Sequence, residues 1–315
     1  MGTVTPVTRL GRIPGVVLIS VAAAMWGTDA LFRRPLAHSI SAATIVFGEH
    51  AILVAITLPL LGPALLALWR AGPRYVLAGI CVGAGASALA TILFTQAFAH
   101  GDPITPIVLQ KIQPLVAVAG AALLLGERPR PRFAWFLVPA LVGIWLIGVQ
   151  HPLDPHARGL APIVEALAAA VLWGLGTVLG RFLSRELTFE QIVTVRFAFG
   201  LVASAIALPI VGAKAYAGVH DSLWILYLAI VTGLLALALY YVGLKRTPAT
   251  LASLAELAYP VTAGLVGIYA FNSNLRWTQW AGVAITIAVV SLLPIRRRRE
   301  IVAVGPADIR LAPAT

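Results

Sequence analysis

Residues 20–36 read SVAAAMWGTDALFRRPL, and residues 167–183 read LAAAVLWGLGTVLGRFL. Met25-Trp26-Gly27 thus returns as Leu172-Trp173-Gly174. The same offset carries Arg34 onto Arg181, Leu36 onto Leu183 and Glu49 onto Arg196. Farther along, Gln113-Pro114 answers to Tyr259-Pro260, and Pro103 to Pro248, at almost that offset. One Trp-Gly pair could be chance, but landmarks in the same order from both ends of a half are a repeat.

The surroundings of both copies say where the repeat sits. The 315 residues are 60% hydrophobic and 11% charged, with mean hydropathy +0.92. Soluble domains are roughly half apolar and about a quarter charged, so this chain lacks residues for a water-facing skin and belongs in a bilayer. Its net charge of +11 is spread in short basic clusters between apolar runs. No basic face with interleaved aromatic residues is legible, which excludes a nucleic-acid partner. Cys81 stands alone, so there is no disulfide framework or thiolate metal cluster. Flanked by Gly79 and Gly83, it is expected to be a buried, inert thiol. Arg9 and Arg12 ahead of Ile13–Trp26 imitate a secretory signal, but the apolar stretch runs on to Phe32 and is expected to be the first span.

A span takes about 20 apolar residues. That ruler gives segments at 13–32, 42–62, 75–97, 103–125, 133–150, 160–182, 190–211, 222–243, 248–271 and 277–295. The expected fold is an all-α membrane protein of about ten transmembrane helices. The expected domains are a cytoplasmic segment at 1–12, five-helix repeats at 13–150 and 160–295, and a basic, disordered cytoplasmic tail at 296–315. With five spans per copy, the second copy enters the membrane the other way up. Such inverted-topology repeats are typical of secondary transporters with a site near the midplane. Placing the N-terminus in the cytoplasm puts roughly threefold more Lys and Arg inside than outside, the expected bias. Arg33 and Arg34 count among the few outer cations in that scheme. Both termini are therefore expected in the cytoplasm of a bacterial-type plasma (inner) membrane.

The layout resembles the drug/metabolite transporter superfamily, in particular its EamA-like ten-helix members. The residues carrying the resemblance are Trp26-Gly27 and Trp173-Gly174 in the first helix of each half, Pro114 and Pro260 in the fourth, and Leu125-Gly126-Glu127. It extends to Leu293. The second half departs from it where Phe271-Asn272-Ser273-Asn274 replaces Leu-Gly-Glu. The resemblance implies an exporter of amino acids or other small metabolites.

An ionisable side chain inside a membrane costs several kcal/mol unless it is paired or lines water. Glu49 and His50 fall mid-span in the second segment. They are candidates to face substrate or carry protons, with Arg196 as a structural ion-pair partner of Glu49. Lys111 and Gln110 precede Pro114, and Glu256 precedes Pro260 by four residues. Each proline removes the hydrogen bond to the carbonyl four residues earlier, so both are expected to kink their helices and free the carbonyls of Gln110 and Glu256. Lys111 would hold a carboxylate and Glu256 an ammonium; the alternative is an ion pair of Lys111 with Glu256 or Glu49. Trp26 and Trp173 would wall the cavity or offer a π-face to an ammonium. The proton-coupling candidates are Glu49 and Glu256.

Gly79 and Gly83 suggest close helix packing. No Walker A, H-E-x-x-H or G-x-S-x-G sequence is present. The prolines among His151, Asp154 and His156 favour a polar loop over a metal site. No metal or cofactor is expected. The expected function is secondary transport, in the export direction, of small polar or zwitterionic metabolites such as amino acids. Efflux of cationic drugs or quaternary ammonium compounds is the alternative. An intramembrane enzyme on lipid-linked substrates, supported only by His50 beside Glu49, is the remote one. The partners expected are a small-molecule substrate and the bilayer; a monomer suffices, with a dimer left open.

Overall fold

The computed structural model describes residues 13–100, 109–127, 134–148, 160–271 and 276–292. Every regular element among them is helical. Long apolar runs leave no other outcome, because hydrocarbon offers nothing to bond an exposed backbone and a helix satisfies its own. The first repeat holds α1 (Gly15–Gly27) and α2 (Ala30–Ser39), which together make one span, then α3 (Ala42–Ala71), α4 (Pro73–His100), α5 (Gln113–Leu125) and α6 (Ala134–Gly148). The second repeat holds α7 (Ala161–Leu183), α8 (Phe189–Ile210), α9 (Val219–Leu244), the pair α10 (Ala249–Ala255) and α11 (Ala258–Phe271), and α12 (Trp277–Ser291). Among the described residues these make ten spans; the first runs on to Ser39 and α3 to Ala71, past their expected ends at 32 and 62.

Local chemistry marks the ends. Ser41 caps α3 by accepting from the Ala43 amide at 3.3 Å. Thr188 and Gln191 form a reciprocal capping box on α8, at 2.9 and 3.4 Å. The outer surface is apolar, with Leu123, Trp135, Trp277 and Trp69 among the most exposed side chains. Those tryptophans lie near helix ends, as membrane-interface residues do. Cys81, expected to be buried, is exposed; its glycine neighbours Gly79 and Gly83 face inward against α8 instead.

The two repeats do not form separate blocks. The most extensive packings pair α8 with α3 and α4, α6 with α12, α1 with α9 and α11, and α7 with α4 and α5. Every one of these joins helices of different repeats, and each has its counterpart under exchange of the halves. The recurring Trp-Gly pair explains part of this interlock. A side chain at Gly27 would meet the Tyr259 carbonyl at 2.8 Å and the Thr262 side chain at 2.6 Å, both beside Pro260. One at Gly174 would meet the Gln113 carbonyl at 3.0 Å and Val116 at 2.8 Å, both beside Pro114. The first helix of each half therefore lies against the proline-bearing helix of the other. Only a glycine lets backbones approach this closely. Gly174→Val is expected to lower the unfolding temperature in detergent, at an overpacking cost of about 1–3 kcal/mol; an unchanged midpoint would contradict this contact.

The prolines act differently from the kink expected of them. Gln110–Ile112 forms a 3₁₀ turn ahead of α5, and the Gln113 amide donates to the Gln110 carbonyl. In the second repeat the Tyr259 amide donates to the Glu256 carbonyl at 3.1 Å. Both carbonyls expected to be freed are bonded, because the residue just before each proline reaches back three positions instead of four. Pro114 and Pro260 sit in the first turns of α5 and α11, after an interruption, where a missing amide proton costs little.

The segments at 1–12 and 296–315, Pro103, the group His151, Asp154 and His156, and the Asn272–Asn274 departure all lie outside the described residues.

Candidate functional site

Between the repeats lies a cavity of about 190 Å³. At roughly 10–15 Å³ per water position, that is room for about a dozen waters, the scale of a metabolite. Trp26, Glu49, His50, Gln110, Pro114, Trp173, Arg196 and Glu256 all line it, drawn from both halves. Lys111 lies in the 3₁₀ turn at its edge; the Lys111 side chain is outside what the structure describes. Pro260 is not among the lining residues, but its neighbour Tyr259 is.

The walls are aromatic. The Trp26 indole donates to the Thr232 carbonyl at 2.8 Å and packs on Tyr240 with ring centroids 5.2 Å apart. Trp173 meets Phe94 edge-on at 4.9 Å. Between these walls the polar groups form three separate clusters.

The first cluster is ionic and belongs wholly to repeat one. Arg33, expected as an outer cation, is buried instead. Its Nε and Nη2 grip Asp29 at 2.5 and 2.9 Å, and Nη2 reaches Glu49 Oε1 at 2.8 Å. Asp29 also accepts from the Thr232 hydroxyl at 3.2 Å, which ties the cluster to α9. A short chain interruption at Thr28-Asp29 makes this possible, since it sets Asp29 one turn before Arg33 on α2. Glu49 is thus neutralised by Arg33 and not by Arg196. Sequence reasoning missed Arg33 because its neighbour Arg34 made the pair look like a loop signal. The available clue was the i, i+4 spacing from Asp29.

The second cluster surrounds Glu256. Its Oε1 accepts from the Tyr240 hydroxyl at 2.8 Å and from Thr177 at 3.3 Å, and its Oε2 from the Gln113 amide. Tyr240 and Thr177 were not singled out from the sequence, where a hydroxyl in an apolar run carries no signal of its own.

The third cluster runs from His50 to Arg196. His50 Nδ1 lies 2.8 Å from the Val46 carbonyl, and Nε2 lies 2.9 Å from Ser87 Oγ. Arg196 donates through Nε to the same Ser87 oxygen at 3.1 Å, through Nη2 to the Ala86 carbonyl at 3.1 Å, and through Nη1 to the Tyr241 hydroxyl at 3.4 Å. The expected ion pair of Arg196 is absent: among the described residues no carboxylate lies within 4.0 Å of it. Glu49 pairs instead with Arg33, which arrives on the neighbouring helix.

Away from the cavity, Glu127 of the first repeat pairs with Arg181 of the second at 3.6 Å and accepts from the Ala249 amide at 3.1 Å. Arg181 in turn donates to the Lys245 carbonyl at 2.6 Å. The ends of α5, α7 and α9 are thereby tied to the start of α10. Among the described residues no group of His, Cys, Asp and Glu is placed to hold a metal ion.

The duplicated helices, the interlocked halves and the cavity between them match what comparison finds. Residues 13–149 and 160–294 each match the EamA-like transporter family. The chain belongs to that family. Among curated proteins, the riboflavin transporter ImpX of Fusobacterium nucleatum is 27% identical over 91% of this chain and 98% of its own length. The pseudopaline exporter CntI of Pseudomonas aeruginosa is 25% identical over 91% of this chain and 97% of its own. A protein solved by crystallography superposes with a TM-score of 0.68 at 21% identity, over 88% of this chain and 95% of that one. At that identity the likeness shows the fold alone. The transporter is thus a multi-pass membrane protein.

Proposed function

We propose that the transporter moves small polar or zwitterionic metabolites, amino acids among them, by exposing the central cavity alternately to the two sides of a bacterial-type plasma membrane. The observation that carries this reading is a metabolite-sized cavity lined by acidic, basic and aromatic side chains of both repeats. A cavity for soft cations alone has no use for a guanidinium without a counter-ion, which disfavours the drug-efflux reading. Glu256, which lines the cavity, is the carboxylate proposed to meet the ammonium of a cargo or a coupled proton. Lys111 remains the proposed partner of a carboxylate at the cavity edge. Export as the direction, and cytoplasmic termini, rest on the family resemblance and on the distribution of Lys and Arg.

Because the helices of the two repeats are interleaved, the moving bodies are bundles that mix helices from both halves. A rigid repeat swinging against its twin would have to unpack α3 from α8. The Glu127–Arg181 tie is a contact such a movement would break and remake. Purified protein in proteoliposomes is expected to carry at least one member of a panel of amino acids, riboflavin, pseudopaline and a quaternary ammonium ion. Flux of that cargo should fall at least tenfold in Trp26→Ala, about 1.4 kcal/mol of lost interaction. Absence of flux for the whole panel, or transport of the ammonium ion alone, would count against the proposal.

A further inference from the structure

We infer that Arg196, oriented by Ser87 and His50, is an oxyanion-binding subsite of the central cavity, so that the cargo carries a carboxylate or phosphate group. The inference rests on the transport reading for the cavity's purpose, though not for its chemistry.

Comparison of the two repeats shows why this cation lacks a built-in partner. The offset that carries Trp26 onto Trp173 carries Glu49 onto Arg196, Arg33 onto Gly180 and Asp29 onto Gly176. In the first repeat all three positions are ionisable, and one arginine pairs with two carboxylates. In the second repeat Arg196 alone remains, and the positions of Asp29 and Arg33 are glycine. The Tyr241 ring occupies the space at Gly180, where a side chain would lie 2.7 Å from it. Its hydroxyl accepts a hydrogen bond from Arg196 but cannot balance the charge. Burying a cation within a membrane segment is costly, and a molecule that discards the counter-ion leaves a place for one that comes and goes.

The hydrogen bonds hold the guanidinium in position without exhausting it. A carbonyl can only accept, so the bond from His50 Nδ1 to Val46 assigns the ring proton to Nδ1 and leaves Nε2 an acceptor. Ser87 therefore gives its one proton to His50 and turns a lone pair toward Arg196 Nε. Arg196 has five N–H groups. Three are engaged by Ser87, Ala86 and Tyr241, which leaves one on each terminal nitrogen without a described protein acceptor. Paired terminal N–H groups of a guanidinium suit the two oxygens of a carboxylate or phosphate. Ala86 and Ser87 belong to a π-helical stretch of α4, Cys81–Leu89, a distortion frequent at functional sites. His50, expected to touch substrate or carry protons, becomes a positioning residue that acts through Ser87.

The test uses the full chain in detergent and then in vesicles. Thermal stabilisation is measured with matched probes that differ in one anionic group: tryptophan against tryptamine for a carboxylate, and riboflavin 5′-phosphate against riboflavin for a phosphate. In each pair the first member should bind more tightly, and whichever pair shows the larger contrast identifies the oxyanion. Arg196→Gln should weaken binding of that anion at least tenfold, and Arg196→Lys, which keeps the charge but loses the planar fork, should retain part of it. Ser87→Ala should weaken it severalfold with the charge intact, a readout that separates orientation from loss of folding. The inference is overturned if the probe lacking the anion binds equally well, if no anion of the panel binds, or if Arg196→Gln stays within twofold of the wild type. Anion binding without flux in vesicles would leave the subsite standing and remove the transport reading. Flux that ignores both the anion and Arg196 would do the reverse.

Discussion

Arg33→Met is expected to destabilise the transporter by about 3–5 kcal/mol, the usual cost of removing one partner from a buried ion pair. The side chains of Arg33 and Glu49 are 5% and 9% exposed, so no solvent can take over the lost charge. Methionine fills a similar volume but leaves Asp29 and Glu49 as two carboxylates facing each other without a cation. Thr95, whose hydroxyl lies 3.4 Å from Nη1, and Thr232, which donates to Asp29, would lose their order as well. Adding Glu49→Gln to Arg33→Met should recover part of the loss, because one of the two stranded charges is gone. A double-mutant cycle on the unfolding midpoints in detergent should therefore show coupling on the order of 0.5–3 kcal/mol. Arg33→Lys should fall between the extremes, since an ammonium keeps the charge and gives up the fork that spans Asp29 and Glu49. A wild-type midpoint in Arg33→Met would mean that the cluster does not exist as described.

Glu256→Gln is expected to cut flux about 10–100-fold while leaving the helices packed. The carboxylate only accepts, and it receives the hydroxyls of Tyr240 and Thr177 on one oxygen and the Gln113 amide on the other. An amide has one oxygen. Turned so that its NH₂ faces the Gln113 amide, it meets a donor, and an orphaned buried donor costs roughly 1–3 kcal/mol; turned the other way, it makes the Tyr240 hydroxyl an acceptor that gives its own proton to Thr177. Initial rates in vesicles loaded with the transported cargo measure the effect. Flux within twofold of wild type in Glu256→Gln would sink the role given to this carboxylate.

Much of this molecule was legible before any coordinates. Apolar runs of span length leave the backbone no choice but helix, so ten spans follow from hydropathy and punctuation. The Trp-Gly and X-Pro landmarks recur in order, and they mark two of the places where the halves come into close contact. Glu49, His50, Arg196 and Glu256 were picked out because charge inside hydrocarbon is costly wherever it points. Their partners were another matter. The sequence ties Glu49 to Arg196 by symmetry, yet Glu49 meets Arg33, which a reading by position assigns to the outer surface. Nothing local says that Tyr240 and Thr177 face Glu256, or that Ser87 links His50 to Arg196, because serine, threonine and tyrosine are ordinary residues in a membrane helix.

The sequence therefore determined the repeat, its inversion and the span count by itself, since those depend on composition, recurring landmarks and odd-numbered crossing alone. Only the tertiary structure decided that the first helix of each half embraces the fourth helix of the other. It alone decided which buried charges neutralise one another. Pairing depends on which helix faces which, a relation between segments far apart in the chain. Two glycines at Gly176 and Gly180, silent in the sequence, are what set Arg196 apart from Glu49.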